Sequence, residues 1–264
     1  MKNVVNSVLA SLSMFSKIPV RTRSLNWEAD GMRYLLASFP LVGVVIGALM
    51  LAWIYVCERF SAPPMLRALG ITLLPLGVTG GLHLDGLCDT CDALGANTTP
   101  ERRREILKDP RAGAFGVIGI AMYMISAFAL ASAFVPSLGN TLTLCVSFFV
   151  SRAASAMAIT GLPSSGNGSA NHFKTNANGG TRTVLCAFLL LGTAAVVAAG
   201  LRSNWMLTVA WTVATIGCVL SLEHTARLKF GGMSGDLSGW FLQRCELWQL
   251  AAIVVATWLG RVFA

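Results

Sequence analysis

Charged residues are scarce in this chain. Asp, Glu, Lys and Arg make up 12% of its 264 residues, whereas 55% are hydrophobic and the mean hydropathy is +0.65. Soluble globular domains carry roughly 25% charged residues. The composition therefore excludes an ordinary soluble domain and indicates a protein whose main solvent is lipid.

Histidine, paired cysteines and low-complexity sequence are also lacking. The chain has three His and seven scattered Cys, so neither a disulfide framework nor a zinc site is indicated. The one CxxC, formed by Cys88 and Cys91, has no second CxxC or clustered His near it, and we interpret both as small core residues. In the absence of a long linker or a fixed-period repeat, residues 1–264 are expected to form a single membrane-embedded catalytic domain.

Apolar runs long enough to cross a bilayer recur along the chain. A hydrocarbon core about 30 Å thick needs about 20 apolar residues per helix. Seven runs are predicted, the second being the shortest, at 34–56, 65–79, 115–136, 140–161, 184–200, 205–222 and 247–263. Residues 1–15 predict an amphipathic interfacial helix rather than a cleaved signal peptide. The expected fold is all-α: a polytopic membrane helical bundle of about seven transmembrane helices plus an N-terminal interfacial helix.

The distribution of charge predicts the orientation. With the N-terminus in the cytoplasm, fifteen of the 20 Lys and Arg fall on the cytoplasmic side, four on the opposite side, and Arg152 within a span. Positive loops resist translocation, which favours this multi-pass arrangement in the inner (cytoplasmic) membrane. Of the 12 carboxylates, all but Glu58 fall in the N-terminal segment or in the inside loops 80–114, 162–183 and 223–246. Activity is therefore expected on the cytoplasmic side, and the net charge of +8 requires no nucleic-acid partner.

Three aspartates follow the second apolar run. Asp85, Asp89 and Asp92 are spaced so that a helix places them on one face. Their repulsion is relieved by a bound cation, by protonation or by nearby basic residues, although such a face is ordinarily only solvated surface. Oxygen ligands favour Mg²⁺, which shares its remaining positions with waters and substrate phosphates. The segment predicts a magnesium site for phosphoryl transfer. On a helix His83 points away from these acids, and it is either structural or, if Gly80-Gly81 breaks the helix, a base.

A basic segment follows the acidic one. The triplet Arg102, Arg103 and Arg104 predicts a short interfacial helix that anchors the topology. Lys108 and Arg111 flank Pro110 and precede two glycines, Gly113 and Gly116, where the third span begins. A helix N-terminus offers N–H donors and a positive dipole end. We expect this segment to bind a diphosphate.

The two later loops contribute fewer candidates. Loop 162–183, which contains His172, is rich in Gly, Ser and Asn and is either a substrate lid or a connector. In loop 223–246, Asp236 follows a glycine-rich turn and is a further metal ligand, a helix N-cap, or both. Arg152 lies within the fourth span, where an ionised group is costly, and is expected to pair with Asp236 or with a substrate phosphate.

These motifs resemble the cobalamin synthase family, the adenosylcobinamide-GDP ribazoletransferases. The chain reads GGLHLDGLCDTCDALG at 80–95, KDPRAGAFG at 108–116 and SGDLSG at 234–239. The family patterns are GGLHLDGLADTADG, KDxRxGAFG and a later GD near the last span. The segments KIPV at 17–20 and FPLVG at 39–43 also fit. Cys88, Cys91 and Ala93 depart from the family pattern but spare every carboxylate, and loop 162–183 matches least.

The resemblance implies a Mg²⁺-dependent membrane enzyme. It would join adenosylcobinamide-GDP to α-ribazole or its 5′-phosphate, release GMP, and so complete nucleotide loop assembly in cobalamin biosynthesis. Asp85, Asp89, Asp92 and Asp236 would then hold one or two Mg²⁺ ions, and a carboxylate or His83 would accept the proton of the ribazole hydroxyl. Lys108 and Arg111 would stabilise the diphosphate charge. The expected partners are the two substrates and the lipid bilayer, and by analogy a second copy or other corrinoid-pathway enzymes.

Two other classes share part of this pattern. CDP-alcohol phosphotransferases also use clustered aspartates, but their motif has Ala-Arg where this chain has Asp89-Thr90. A transporter would use the aspartates for a coupling ion, yet transporter sites usually lie near the bilayer midplane, whereas these carboxylates lie in loops beside spans.

Overall fold

The structure is a computed structural model that describes residues 2–21, 25–27, 32–166, 173–175, 177 and 179–262. Side chains are described for these residues except 2, 179 and 201–203. Within this part of the chain the regular structure is helical, apart from one bridge between Ser164 and Met233. His172 in loop 162–183, Met1 of the interfacial helix and Phe263 of the last span lie outside the described residues.

The helices follow one another with short connections. They are α1 (Lys2–Phe15), α2 (Leu35–Arg59), α3 (Pro64–Thr79), α4 (Leu82–Gly95), α5 (Pro100–Ile106), α6 (Ala114–Ala133), α7 (Leu138–Gly161), α8 (Gly179–Ser203), α9 (Trp205–Thr225) and α10 (Gly235–Val262). A π-helical turn, Ala226–Phe230, follows α9 directly.

Six of these helices are long and apolar enough to cross a membrane: α2, α6, α7, α8, α9 and α10. The short helix α3 passes the same test only together with α4, from which it is bent by 93°. The chain is therefore a multi-pass, all-α membrane protein, and its described residues contain six spans, or seven if the bent pair counts as one. Helix α1 is a shorter apolar helix, as expected for the N-terminal segment.

The predicted start of the last span is wrong. Helix α10 begins at Gly235, twelve residues before the expected 247, so most of the supposed loop 223–246 is helical. The charges of Arg244 and Glu246 had predicted that the last apolar run begins only after them. In the structure both charges have protein partners, since Glu246 pairs with Arg152 and Arg244 lies 4.3 Å from the ring centroid of Trp240. Loop 80–114 likewise contains α4 and α5.

Helix α7 lies at the centre of the bundle, packed on α2, α8 and α10. Glycines allow the closest of these approaches. A Cβ on Gly47 of α2 would lie 2.7 Å from the Cys145 carbonyl oxygen of α7, and one on Gly43 would collide with the Phe148 carbonyl. Both glycines therefore determine how closely α2 and α7 can pack.

Two glycines also form the break between α3 and α4. Gly80 and Gly81 have φ angles of 64° and 78°, a left-handed backbone that other residues rarely adopt. The N-terminal segment is fixed to this corner, because the Lys17 N–H donates to the Val78 carbonyl at 2.7 Å. Helix α4 thus leaves the corner in a new direction and runs between α6 and α10.

Candidate active site

The predicted acidic face is present on α4. Residues 82–95 form a continuous helix on which Asp85 is exposed, while Asp89 and Asp92 are partly buried. The charges of Asp85, Asp92 and Asp236 all act on the Asp89 carboxylate. The structure therefore brings together the four carboxylates that the sequence singled out, although they come from segments about 150 residues apart.

Close contact of two glycines places Asp236 beside α4. Helices α4 and α10 cross at Gly86 and Gly239, where a Cβ on Gly86 would lie 2.7 Å from the Asp236 carbonyl oxygen. A Cβ on Gly239 would lie 2.9 Å from the His83 carbonyl oxygen. A side chain at either position would push the two helices apart. The glycines were visible in the sequence, but their pairing depends on the tertiary fold.

Asp236 does not cap α10. The Ser234 hydroxyl accepts a hydrogen bond from the Leu237 N–H at 3.1 Å, so serine has the capping role that was one prediction for the aspartate. Asp236 lies in the first turn of α10, where the helix dipole favours a negative charge. Its side chain is thus available to the cluster on α4.

Asp92 has a different environment from the other three acids. Its two carboxylate oxygens accept hydrogen bonds from the Gly113 N–H at 2.7 Å and the Gly116 N–H at 2.8 Å. These are the N–H groups that the sequence argument assigned to a substrate diphosphate. That assignment is wrong, because the Asp92 carboxylate already occupies both N–H groups at the N-terminus of α6.

His83 is part of the protein core. It is 5% exposed, its ring lies 5.8 Å from that of Phe39, and its Nε2 has no hydrogen-bond partner within the described structure. It is the second residue of α4, and its helical spacing from Asp85 and Asp92 places it on the opposite face of the helix from the acids. The prediction of a catalytic His83 in contact with substrate is not compatible with this burial.

Arg152 pairs with Glu246 rather than with Asp236 or a substrate. Its guanidinium lies 2.6 Å from the Glu246 carboxylate, and the arginine side chain is 1% exposed. Glu246 also accepts a hydrogen bond from the Ser151 hydroxyl at 2.9 Å. Two residues of α7 and one of α10 thus form a buried polar cluster, which the sequence argument missed because Glu246 was placed in a loop.

The basic segment contains both structural and available cations. Arg103 is buried and donates to the Ala93 and Ala96 carbonyls, so it satisfies the C-terminal end of α4. Arg104 donates to the Phe230 carbonyl at 2.8 Å. These contacts fasten α5 to α4 and to the turn before α10. The arginine triplet therefore does more than anchor the topology.

Lys108 and Arg111 remain on the surface beyond α5. The Arg111 guanidinium donates two hydrogen bonds to Asp109, at 2.9 and 2.8 Å, and its backbone N–H donates a third at 3.1 Å. These bonds lower the Asp109 pKa to about 2. The Arg111 side chain is 85% exposed, so this ion pair is easily exchanged for another anion. Lys108 is exposed as well. The structure leaves both residues able to contact a substrate phosphate.

A cavity of about 720 Å³ opens beside Asp85. Its walls come from the end of α1, the glycine corner and the start of α6, and they include Lys17, Gly80, Asp85 and Ala112. A Cβ on Gly80 would collide with the aliphatic carbons of Lys17, so this lysine is packed against the corner. In the sequence Lys17 is distinguished only by its position in the KIPV segment at 17–20, which did not identify it as a site residue.

The acidic cluster suits Mg²⁺ only as a shared site. In the part of the chain that is described, no three His, Cys, Asp or Glu side chains stand close enough to hold an ion by themselves. Mg²⁺ usually takes one or two carboxylates and completes its shell with waters and substrate phosphates. Asp85, Asp89 and Asp236 supply the right oxygen donors for such an arrangement.

Comparison with known proteins gives a consistent result. A family model described as cobalamin-5-phosphate synthase matches residues 7–254. The chain is 35% identical to an adenosylcobinamide-GDP ribazoletransferase of Lachnoclostridium phytofermentans, over 96% of this chain and 94% of the relative. It is 30% identical to a protein of the same name from a Geobacillus species, over 100% of this chain and 99% of the relative. No solved structure matches the chain.

Proposed function

The chain belongs to the cobalamin-5-phosphate synthase family, and on that basis we propose that it is an adenosylcobinamide-GDP ribazoletransferase. It joins adenosylcobinamide-GDP to α-ribazole or α-ribazole 5′-phosphate and releases GMP. The product is adenosylcobalamin or its 5′-phosphate. This is a phosphoryl-transfer reaction at a diphosphate, carried out by a membrane-embedded enzyme.

The observation that carries this proposal is the convergence of Asp85, Asp89 and Asp236 across the α4–α10 glycine contact. A partly buried group of like charges is unfavourable unless a cation or a protonated ligand compensates it. Asp92 holds the N-terminus of α6 against the same helix. The fold therefore maintains a site of repelling carboxylates next to an open cavity of about 720 Å³.

We assign the metal to Asp85, Asp89 and Asp236. When bound, Mg²⁺ supplies charge neutralisation of the diphosphate and orientation for in-line displacement. Lys17 lines one side of the cavity. Lys108 and Arg111 are exposed on the loop before α6. All three cations bind phosphate oxygens of the substrate. Gly113 and Gly116 serve the site indirectly, by binding Asp92.

In the reaction the ribazole hydroxyl attacks the phosphorus that carries the cobinamide, and the bond to the GMP oxygen breaks. The hydroxyl proton passes to a carboxylate, and GMP leaves with the electron pair of the broken bond. A carboxylate of the acidic face is the better acceptor than the buried His83, because only the carboxylate can reach a substrate in the cavity. The site faces the cytoplasm in the inner membrane, and association with a second copy or with other corrinoid-pathway enzymes is compatible with its exposed loops.

The test uses the purified protein reconstituted in lipid. Adenosylcobinamide-GDP and α-ribazole 5′-phosphate are added with and without Mg²⁺, and the corrinoid product and GMP are separated by chromatography. Product is expected only with Mg²⁺, and Asp89→Asn should lose it. Glu105→Gln is the matched control, because it removes an exposed carboxylate of α5 that pairs with Arg102 and lies outside the acidic face.

Two results would contradict the proposal. Equal product in the absence of Mg²⁺ would remove the metal assignment but not the transferase activity. No product from a folded wild-type protein with verified substrates would return the function to a phospholipid transferase or a transporter.

A further inference from the structure

A second cavity lies between α9 and α10, and none of the aspartates of the acidic face lines it. Its volume is about 520 Å³, and its walls are Ala210, Val213, Ala214, Gly217, Cys218 and Ser221 of α9, with Arg244, Trp248, Ala251, Ala252 and Val255 of α10. Val213, Trp248 and Val255 are 65%, 53% and 45% exposed. Exposed apolar side chains on spanning helices face lipid, so this cavity is a groove open to the bilayer.

The polar groups of the groove lie at one end. On α9 the lining runs from Ser221 to Ala210, and on α10 it runs from Arg244 to Val255. The two ends of each stretch are eleven residues apart, about 16 Å along a helix. The Arg244 guanidinium donates to the Ser221 hydroxyl at 3.3 Å. The groove therefore has a cationic end and an apolar length comparable to an acyl chain.

Arg244 has no acidic partner within the described structure. The six ion pairs found there involve other arginines, and Glu246, its nearest acid in the sequence, is bound by Arg152 in the core. Arg244 instead stacks on Trp240, with its guanidinium carbon 4.3 Å from the ring centroid. A cation held by an aromatic ring at the edge of a spanning helix retains donors for an anion.

The depth of Arg244 suits a lipid headgroup. Eighteen residues of α10 follow Arg244 to Val262, about 27 Å of helix, which is close to the thickness of a hydrocarbon core of about 30 Å. Trp248 lies one turn further along, and indole rings favour the boundary between headgroups and acyl chains. Guanidinium, indole and apolar groove thus follow one another as phosphate, glycerol region and acyl chain do in a phospholipid.

We propose that this groove binds one anionic phospholipid, with its phosphate on Arg244 and an acyl chain between α9 and α10. Charge complementarity selects the anionic lipid, because a zwitterionic headgroup carries its own cation and leaves less net charge for Arg244. A single basic group near a membrane surface gives a preference of about fivefold. This binding is separate from the transferase site and does not rest on its assignment.

The test is lipid retention by the full chain. The protein is reconstituted in vesicles of equal phosphatidylcholine and phosphatidylglycerol, extracted in mild detergent, and its bound lipids are counted by native mass spectrometry. Wild type is expected to retain one phosphatidylglycerol in preference to phosphatidylcholine. Arg244→Gln should reduce that preference about fivefold, and Arg244→Lys should keep most of it.

A second variant tests the groove itself. A Cβ on Gly217 would meet open space and Gly217 lines the groove, so Gly217→Leu places a side chain in the groove and should reduce retention of the lipid. The matched controls are Arg59→Gln, an arginine that also contacts an aromatic ring, and Gly77→Leu, whose Cβ likewise meets open space. Both controls should retain phosphatidylglycerol as wild type does.

Three outcomes would overturn the proposal. Equal retention of both lipids by wild type would make the groove ordinary annular surface. Undiminished preference in Arg244→Gln, or undiminished lipid retention in Gly217→Leu, would show that the lipid binds elsewhere. If wild type is a dimer without bound lipid and Gly217→Leu is a monomer, the groove binds a second copy of the chain instead.

Discussion

The four aspartates of the cluster differ in what their oxygens contact. This difference distinguishes the aspartates that are available to a ligand from the one that holds the fold together. Asp92 accepts two backbone hydrogen bonds, from Gly113 and Gly116. Asp89 instead experiences the charges of three neighbouring carboxylates. Removal of one charge should therefore have opposite effects on stability at these two positions.

For Asp89→Asn we expect a large loss of transferase activity, about 100-fold or more, because a carboxylate that faces the diphosphate is replaced by a neutral amide. Its melting temperature should be equal to or above that of wild type, since one of four repelling charges is removed. Turnover and thermal unfolding in the same detergent measure both effects. A lowered melting temperature would show that Asp89 has a structural role instead.

For Asp92→Asn we expect a lower stability, by about 1–2 kcal/mol, because an amide offers only one acceptor to two N–H donors and has no charge for the helix N-terminus. Thermal unfolding of this variant beside Asp89→Asn measures the contrast. If Asp92→Asn unfolds at the wild-type temperature, the two hydrogen bonds do not hold α6 in place.

Lys17 provides a prediction about substrate binding. Lys17→Ala removes a cation from the cavity wall beside Asp85, so KM for adenosylcobinamide-GDP should rise by about tenfold, while Lys17→Arg should recover part of the loss. Steady-state kinetics with each variant check this. An unchanged KM would leave Lys17 as a residue that only packs against Gly80.

At the scale of helices, the buried pair of Arg152 and Glu246 joins α7 to α10. We expect Glu246→Gln to destabilise the protein by about 3–5 kcal/mol, because it leaves a buried arginine without its counter-ion. The double variant Arg152→Met with Glu246→Leu should regain most of the loss. Glu58→Gln is the matched control: its carboxylate pairs with Arg67 but is 50% exposed, so it should cost about 1 kcal/mol or less.

This pair also shows where prediction from the sequence stops. Helix positions followed from apolar runs, and the spacing of Asp85, Asp89 and Asp92 correctly gave one acidic face. The predicted boundary at Glu246 is wrong, because a charge within helix α10 marked the supposed start of the last span. Hydropathy cannot reveal that a partner on another helix neutralises the charge. Likewise, the bonds from Asp92 to Gly113 and Gly116 depend on how α4 packs against α6.

The bundle as a whole allows a final prediction about its orientation in the membrane. The short connections after α2, α6 and α8 share one side of the predicted topology, which carries only four positive residues. Of these four residues, Arg67 is neutralised by Glu58. The other side carries the acidic site together with most of the Lys and Arg. Positive charge retained in the cytoplasm therefore predicts a cytoplasmic N-terminus and a C-terminus on the opposite side.

Fusions to each terminus test this orientation. Green fluorescent protein at the N-terminus should fluoresce in the producing cells. At the C-terminus green fluorescent protein should be dark, whereas alkaline phosphatase should be active. A fluorescent C-terminal fusion with inactive phosphatase would mean that the number of spans is even, and that the bent pair α3 and α4 enters and leaves the membrane on one side.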